Sequence, residues 1–298
     1  MTLANSLWIV FTLIAAAAQT LRNATQQHLT TTLGTAGATH VRFLFGVPFG
    51  LVFLALTLIA TGTPLPRPSG AFWTWILVGG LAQSAATALM LTAMAGRSFV
   101  VVYAFIKTEP VQVALFGLVL LGDVVTLPMA IAILIATSGV LLMSLRPDAA
   151  LDGSQPTLLG LAAGAMFGLS AIGYRGAILS LGESSSMLAA TFSVVIGLAL
   201  QAILLSLYLL LRRPGVMTAI FRAWRPSLLA GFLGAFASLF WFLAFALATA
   251  ASVRTLALVE VLFAQGISSF VFKHRTTARE VFGIVLIVAG VALLLWVY

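Results

Sequence analysis

Apolar segments long enough to cross a lipid bilayer follow one another along almost the whole chain. A helix needs roughly 20 apolar residues to span the hydrocarbon layer, and Gly, Pro and charged residues divide this sequence into about ten such segments. Only 7% of the 298 residues are charged and 61% are hydrophobic, too few charges to coat a soluble protein of this size. The sequence therefore predicts an all-α integral membrane protein with ten transmembrane helices. They cover approximately residues 5–25, 36–60, 71–95, 98–121, 125–146, 157–181, 186–211, 225–248, 251–272 and 279–297.

The apolar segment Phe99–Leu121 carries Lys107, Glu109 and Pro110 near its middle. A charged side chain at mid-membrane costs about 2.5–3.5 kcal/mol on insertion scales, so it is usually paired or faces a watery cavity. Pro110 removes the amide that would bond residue 106 and should loosen the helix beside both charges. Such a kink either exposes carbonyls to a ligand or is ordinary membrane packing, and both interpretations stay open.

The chain contains an internal duplication. Four residues of the first half recur in the second half at a spacing of 151 positions without a gap, and Arg22 corresponds to Arg175 at a spacing of 153. Because five helices per half is an odd number, the second half must enter the membrane from the opposite side. We therefore predict two inverted five-helix repeats, residues 1–147 and 148–298, which form one transport domain around a central cavity. A duplicated channel or scaffold is the alternative. The matched pairs are Gly80 and Gly231, Glu109 and Glu260, Gly139 and Gly290, and Val140 and Val291.

The basic residues between the apolar segments orient the protein in the membrane. Cytoplasmic loops are enriched in Lys and Arg, so the more basic face is predicted to be cytoplasmic and both termini periplasmic, in a bacterial inner membrane. The net charge of +8 is explained in this way, and we expect no nucleic-acid partner. The basic face holds Arg97, Arg146, Arg212, Arg213, Arg222, Arg225, Lys273, Arg275 and Arg279, and the other holds Arg67, Asp123 and Glu183.

The sequence contains no motif for an enzyme, a metal or a cofactor. It has no cysteine, and His28, His40 and His274 show no metal-ligand spacing. No phosphate-binding loop or catalytic constellation occurs either, so we expect no enzymatic activity and no cofactor. The run Ala15–Ala18 resembles a signal-peptidase site, but the matching helix in the second half favours a retained helix.

The predicted partners are the lipid bilayer and a small-molecule substrate. Gly160, Gly164 and Gly168 form a small-residue stripe that suits close helix packing. We interpret this stripe as packing inside one chain rather than as a dimer seam, so no oligomer is required.

Six charged residues lie within or just inside the spans that we place in the interior, namely Arg22, Lys107, Arg175, Arg254, Glu109 and Glu260. Glu109 and Glu260 are either structural acids, each paired with a base to lower the cost of burial, or gating acids whose pairs break during transport. Glu109 matches Glu260 and Arg22 matches Arg175, but Arg254 stands where the first half has Tyr103, so the bases follow the duplication only in part. The candidate gating or charge-pair residues are Glu109, Glu260, Arg254 and Arg22.

Polar and aromatic residues on the same helices predict a substrate site. Tyr103 shares a helix face with Lys107, and Tyr174 places an aromatic ring beside Arg175, whose forked geometry suits a carboxylate. An Arg near a helix end can instead reach the headgroups, an interpretation that fits Arg22 better than Arg175. The predicted substrate-binding residues are Tyr103, Lys107, Tyr174, Arg175, Ser238, Trp241, Gln83 and Thr87.

The order of these motifs resembles the EamA-type drug/metabolite transporter superfamily. The resemblance covers the whole chain and is carried by HVRFLFG with Arg42, by LGD at residues 121–123 and by the glycine-bearing IATSGVLLMSL. It is most similar to the YddG branch of aromatic amino acid exporters. Two positions depart from the family pattern: Asp123 replaces the usual Glu, and His274 stands where the second half should have an acid.

The resemblance implies helices 1–4 and 6–9 around a central cavity, with helices 5 and 10 packed outside. Tyr103, Lys107, Tyr174, Arg175, Ser238 and Trp241 would then lie on cavity-forming helices. The implied function is secondary export of small amphipathic metabolites, above all amino acids including aromatic ones, by alternating access. A multidrug or nucleotide-sugar antiporter of the same fold is the alternative, since Lys107, Arg175 and Arg254 could bind phosphate.

Overall fold

The computed structural model describes residues 3–94, 99–144, 154–182, 185–271 and 277–298, and no β-strand occurs in these ranges. Among the charged loop residues, Arg97, Arg146, Glu183, Lys273, Arg275 and the family-departing His274 lie outside them. The helices are α1 (Leu3–Leu44), α2 (Gly46–Thr61), α3 (Gly70–Met94), α4 (Phe99–Ile106), α5 (Glu109–Phe116), α6 (Leu127–Ser144), α7 (Ser154–Leu179), α8 (Ser186–Arg212), α9 (Pro214–Arg222), α10 (Trp224–Leu247), α11 (Ala250–Leu256), α12 (Val259–Val271) and α13 (Ala278–Val297). A π-helical turn, Gly117–Leu121, continues α5.

The outer surface of the helices is strongly apolar. Ile59 is 80% exposed and Trp296 is 84% exposed, and many other large hydrophobic residues are also exposed. Such a surface suits lipid rather than water. The protein is therefore an all-α, multi-pass membrane protein, as its sequence predicts.

Eight helical segments among the described residues are long and apolar enough to cross a membrane. The predicted segment 251–272 is not among them, because it is divided into the short helices α11 and α12. The predicted segment 5–25 is helical within α1 but is also outside the set. The eight segments are Leu29–Thr61, Gly70–Met90, Val102–Leu121, Leu127–Ser144, Thr157–Leu179, Ser186–Arg212, Trp224–Leu247 and Ala278–Val297.

Helix α1 is two helices joined by a sharp turn at Gly34. Gly34 has φ 66° and ψ 172°, a conformation that costs little only for glycine. The Gln26 side-chain amide donates to the Ala38 carbonyl over 2.8 Å. In a straight helix these residues would be about 18 Å apart, so the chain reverses direction between them. The boundary between the first two predicted helices therefore lies at residue 34, within the predicted gap 25–36.

The chain forms two compact units, and each takes segments from both predicted sequence halves. Unit 1 comprises residues 1–81 and 173–247, and unit 2 comprises residues 82–172 and 248–298. In unit 1, α10 packs against α1, α2 and α8. Aromatic rings connect these helices, including those of Phe49 and Phe232, whose centroids are 5.4 Å apart. Gly231 allows this approach, because a Cβ there would lie 2.5 Å from the Phe45 Cβ.

In unit 2, α6 packs against α13 at three glycines. A Cβ on Gly139 would lie 2.6 Å from the Gly283 carbonyl oxygen, and a Cβ on Gly290 would lie 2.6 Å from the Ala136 nitrogen. The glycine stripe of α7 meets α4 and α5 of the same unit: a Cβ on Gly160 would lie 2.7 Å from the Val102 carbonyl oxygen. The stripe is thus used for packing within one chain.

Replacing Gly139 with Ala is expected to destabilise the protein by about 1–3 kcal/mol, because the added methyl group has no space beside the α13 backbone. Thermal unfolding in detergent, followed by fluorescence-detected size exclusion, measures this effect. Gly215→Ala is the matched control, since a Cβ at Gly215 would meet no atom within 4 Å. Equal melting temperatures for the two variants would contradict the predicted close contact.

Candidate functional site

The predicted fourth transmembrane segment is broken at Lys107 and Thr108, between α4 and α5. The Thr108 amide donates to the Phe105 carbonyl and the Val111 amide donates to the Thr108 carbonyl, both at 3.1 Å and both three residues back. Pro110 lies in the first turn of α5, where its missing amide leaves no intrahelical bond unmade. The break therefore precedes the proline and coincides with the charged residue.

A second break occurs at Ala257 and Leu258, between α11 and α12, at a spacing of 150 residues from the first. Its hydrogen bonds follow the same pattern, because the Leu258 amide donates to the Thr255 carbonyl and the Val261 amide to the Leu258 carbonyl. No proline occurs near this break. Pro110 is therefore not the common cause of the interruptions.

Two ion pairs connect the broken helices of unit 2. Lys107 Nζ contacts Glu260 Oε1. Arg254 Nε lies 3.0 Å from Glu109 Oε1. The four side chains are only 12–17% exposed, so each charge is compensated where water is scarce. Each of the two acids thus contacts a base, a contact that both the structural and the gating interpretation require, and each base comes from the opposite sequence half.

Tyr103 and Gln83 also lie in unit 2. The Lys107 ammonium lies 5.2 Å from the centroid of the Tyr103 ring, on the helix face predicted from their spacing. The Ser170 hydroxyl donates to Gln83 Oε1 over 2.7 Å, which connects α3 to α7. Thr87 is buried, and its hydroxyl donates to the Gln83 backbone carbonyl. Gln83 thus connects two helices, whereas the Thr87 hydroxyl bonds within its own helix.

In unit 1, close helix packing fixes the position of Tyr174. A Cβ on Gly173 would lie 2.5 Å from the Gly79 nitrogen, so α3 and α7 touch through their backbones. The Tyr174 ring then packs against Phe242, with centroids 4.7 Å apart. Trp241 donates its indole N–H to Gln19 Oε1 over 3.2 Å and stacks on Phe245. These contacts form one aromatic cluster on α7 and α10.

Two predicted cations, Arg175 and Arg22, also lie in unit 1. Arg175 Nη1 donates to the Phe245 backbone carbonyl. Arg22 Nη2 donates to the Asn23 side-chain oxygen over 2.8 Å, and the Arg22 residue is only 8% exposed. Arg22 is therefore buried inside unit 1, and the interpretation that it reaches the lipid headgroups does not describe this structure.

Arg42 is a half-buried cation of unit 1, which the residue pattern alone did not place in the site. Its guanidinium lies 4.3 Å from the centroid of the Phe43 ring, and its Nε is buried without a hydrogen-bond partner among the described residues. The signal in the sequence was the absence of any Asp or Glu before residue 109.

The structure divides the predicted site residues between the two units. Ser238 is half-buried in α10, two residues from Phe236 and two from Phe240 in the sequence. Unit 2 holds Tyr103, Lys107, Gln83, Thr87, Glu109, Glu260 and Arg254, and unit 1 holds Tyr174, Arg175, Trp241, Ser238 and Arg22.

The fold and these buried charges define a multi-pass helical membrane protein with polar chemistry inside its apolar layer. No protein-family model matches the sequence, and no curated protein matches it significantly. Among solved structures, 27 chains match. One, described only as the crystal structure of a protein, superposes on 99% of this chain and 99% of its own with a TM-score of 0.70 and 16% identity. At that identity the similarity shows a shared fold.

Proposed function

We propose that this protein is a secondary transporter that exports small amphipathic metabolites, foremost amino acids including aromatic ones, by alternating access. The observation that carries the proposal is the pair of broken helices in unit 2 with four mutually paired charges at the breaks. Discontinuous helices at mid-membrane are a general feature of transporter substrate sites. A purely structural membrane protein has no need for four charges there, because buried ion pairs add little stability.

Contacts at the glycines support the proposed inverted duplication. Gly139 approaches Gly283 and Ile287, and Gly290 approaches Ala132 and Ala136. A shift of 151 residues converts Gly139 into Gly290, and the reverse shift converts Gly283 and Ile287 into Ala132 and Ala136. The two sets of contacts are therefore equivalent under the duplication. The two helix breaks follow nearly the same shift. Such an exchange is what a pseudo-two-fold axis between two repeats would produce.

The proposal includes ten transmembrane spans. Eight are the long apolar segments described above, and the other two are the divided segment 251–272 and the first part of α1. It also includes membership of the EamA-type drug/metabolite transporters and a location in a bacterial inner membrane. Arg212, Arg213 and Arg222 around α9 would then be cytoplasmic, with both termini periplasmic.

The ion pairs change which of the predicted substrate-binding residues is proposed to bind the substrate carboxylate. Lys107 contacts Glu260, so the proposal assigns the substrate carboxylate to Arg175, whose guanidinium lies at the Phe245 carbonyl beside the aromatic cluster. Tyr174 and Trp241 provide aromatic surface for the substrate side chain. The pairs of Lys107 with Glu260 and of Arg254 with Glu109 form the proposed gate, and exchange of these partners would accompany the change of access.

Transport by the purified protein in liposomes tests the proposal. Vesicles are loaded in turn with labelled phenylalanine and threonine, and efflux is compared with that from protein-free vesicles. We expect saturable, protein-dependent efflux of at least one amino acid. The same vesicles are then loaded with a nucleotide sugar or a lipophilic cation.

Movement of the nucleotide sugar or the cation without movement of amino acids would replace the proposed substrate with that of the alternative antiporter. The pairing of Lys107 and Arg254 with acids argues against the nucleotide-sugar form, since it leaves fewer bases for phosphate. No protein-dependent flux of any of these compounds would overturn the transporter proposal.

A further inference from the structure

Helix α9 lies where several helices of unit 1 end. It connects α8 to α10, and each of these is long and apolar enough to cross a membrane. The nine residues of α9 extend over only about 14 Å, too short a length to cross the hydrocarbon layer. The turn of α1 is at the same end, since a Cβ on Gly37 would lie 2.8 Å from the Val216 side chain of α9. Helix α9 and this turn therefore lie together at one surface of the membrane.

The outward side of this region is strongly basic. The apolar residues Val216, Met217 and Ile220 of α9 pack in the cluster that contains Leu29 and Leu33 of α1. Four arginines at or beside the two ends of α9 are exposed, and none of them contacts an acid among the described residues. Their positive charge is therefore available to an external anion. The four are Arg212, Arg213, Arg222 and Arg225.

An open groove lies beside Arg222, between α1, α9 and the start of α10. Its volume is about 420 Å³. Apart from Arg222 and Thr32, the side chains that line it are apolar. A groove with apolar walls and one cation matches a ligand in which an anionic group is joined to a hydrocarbon chain. The lining residues are Leu29, Thr32, Leu33, Ala219, Arg222, Ala223 and Pro226.

We propose that this groove binds an anionic phospholipid, with its phosphate on Arg222 and its hydrocarbon chains along the apolar walls. A forked guanidinium can donate two parallel hydrogen bonds to a phosphate. Trp224 is exposed, with the Arg225 guanidinium 5.4 Å from its ring centroid, an arrangement suited to the headgroup level. The exposed Leu229 follows on α10, so apolar surface continues from the groove toward the membrane interior. The inference goes beyond the proposed transport function and requires only that the protein is in a membrane.

A phospholipid suits this groove better than a soluble phosphate compound does. Arg222 is exposed, and a single ion pair in water is weak. The phosphate of a membrane lipid is already held at the depth of α9 by its chains, so it loses less freedom on binding. The neighbouring arginines also attract anionic lipids to this surface. A net negative headgroup should therefore be preferred to a zwitterionic one.

Native mass spectrometry of the full-length protein in detergent tests this inference. The protein is titrated with phosphatidylglycerol, which is anionic, or with phosphatidylcholine of identical chains, which is zwitterionic. We expect the first phosphatidylglycerol to bind about tenfold more tightly than phosphatidylcholine. Arg222→Gln should weaken binding of phosphatidylglycerol about tenfold, as expected for loss of a charge-assisted hydrogen bond, and leave that of phosphatidylcholine unchanged. Glycerol 3-phosphate at millimolar concentration should not displace the lipid.

Arg67→Gln is the control, because Arg67 is exposed in a loop of the same unit and does not line the groove. Arg222→Lys keeps a cation at the carboxyl end of α9 and replaces the Gln variant if that variant does not fold. Its affinity for phosphatidylglycerol should lie between those of the parent and Arg222→Gln. Equal affinities for the two lipids, or unchanged affinity in both Arg222 variants, would overturn the inference. An equal loss in Arg67→Gln would show general charge attraction instead, and displacement by glycerol 3-phosphate would show a site for soluble phosphates.

Discussion

Replacing Lys107 with Met is expected to lower the melting temperature by about 5 °C or more and to abolish export. The substitution leaves Glu260 without the base that contacts it, in a place where both side chains are only 12–15% exposed. Removing one partner of a buried ion pair costs about 3–5 kcal/mol, because the remaining charge is uncompensated. Thermal unfolding in detergent and amino-acid efflux from liposomes measure the two effects.

The double variant Lys107→Met with Glu260→Gln distinguishes a structural pair from a gate. It removes both charges, so the melting temperature should return close to that of the parent protein. Export should stay abolished, because the proposed gate needs a charge pair that can exchange partners with Arg254 and Glu109. Normal export by a stable double variant would show that the pair serves packing only.

Replacing Arg175 with Gln is expected to reduce export about tenfold or more without loss of stability. The Arg175 guanidinium donates to the Phe245 backbone carbonyl, to which a Gln amide can also donate. Removal of the charge also removes the cost of keeping a half-buried cation among apolar helices. The melting temperature of the ligand-free protein should therefore be unchanged or raised, the opposite of the effect at Lys107.

The efflux assay measures the loss of export in Arg175→Gln. The expected tenfold reduction corresponds to the loss of one charge-assisted hydrogen bond to the substrate. Arg175→Lys keeps the charge but not the forked guanidinium, so its rate of export should lie between those of Arg175→Gln and the parent protein. Exposed Arg67 provides the control, since Arg67→Gln should change neither property. A large drop in melting temperature for Arg175→Gln would mean that this residue supports the fold rather than the substrate.

Much of the candidate site could be predicted because membrane burial makes charged residues conspicuous. Lys107 and Glu109 are recognisable in an apolar segment without knowledge of any contact. The spacing of 151 residues likewise identified Glu260 as the counterpart of Glu109. Arg42 was harder to place, because its significance depends on which acids share its unit, and the unit is assembled from distant segments.

Hydropathy, charge and glycine spacing by themselves determined the membrane class, most of the helical segments and the intramembrane charges, because each of these depends on neighbouring residues. Only the tertiary structure decided the partners. Lys107 is two residues from Glu109 but contacts Glu260, and Glu109 is met by Arg254. The tertiary structure also placed the chain reversal at Gly34. It brings arginines from distant segments into unit 1, whose described residues include no acid. Contacts between residues some 150 positions apart depend on how helices pack, which no local pattern specifies.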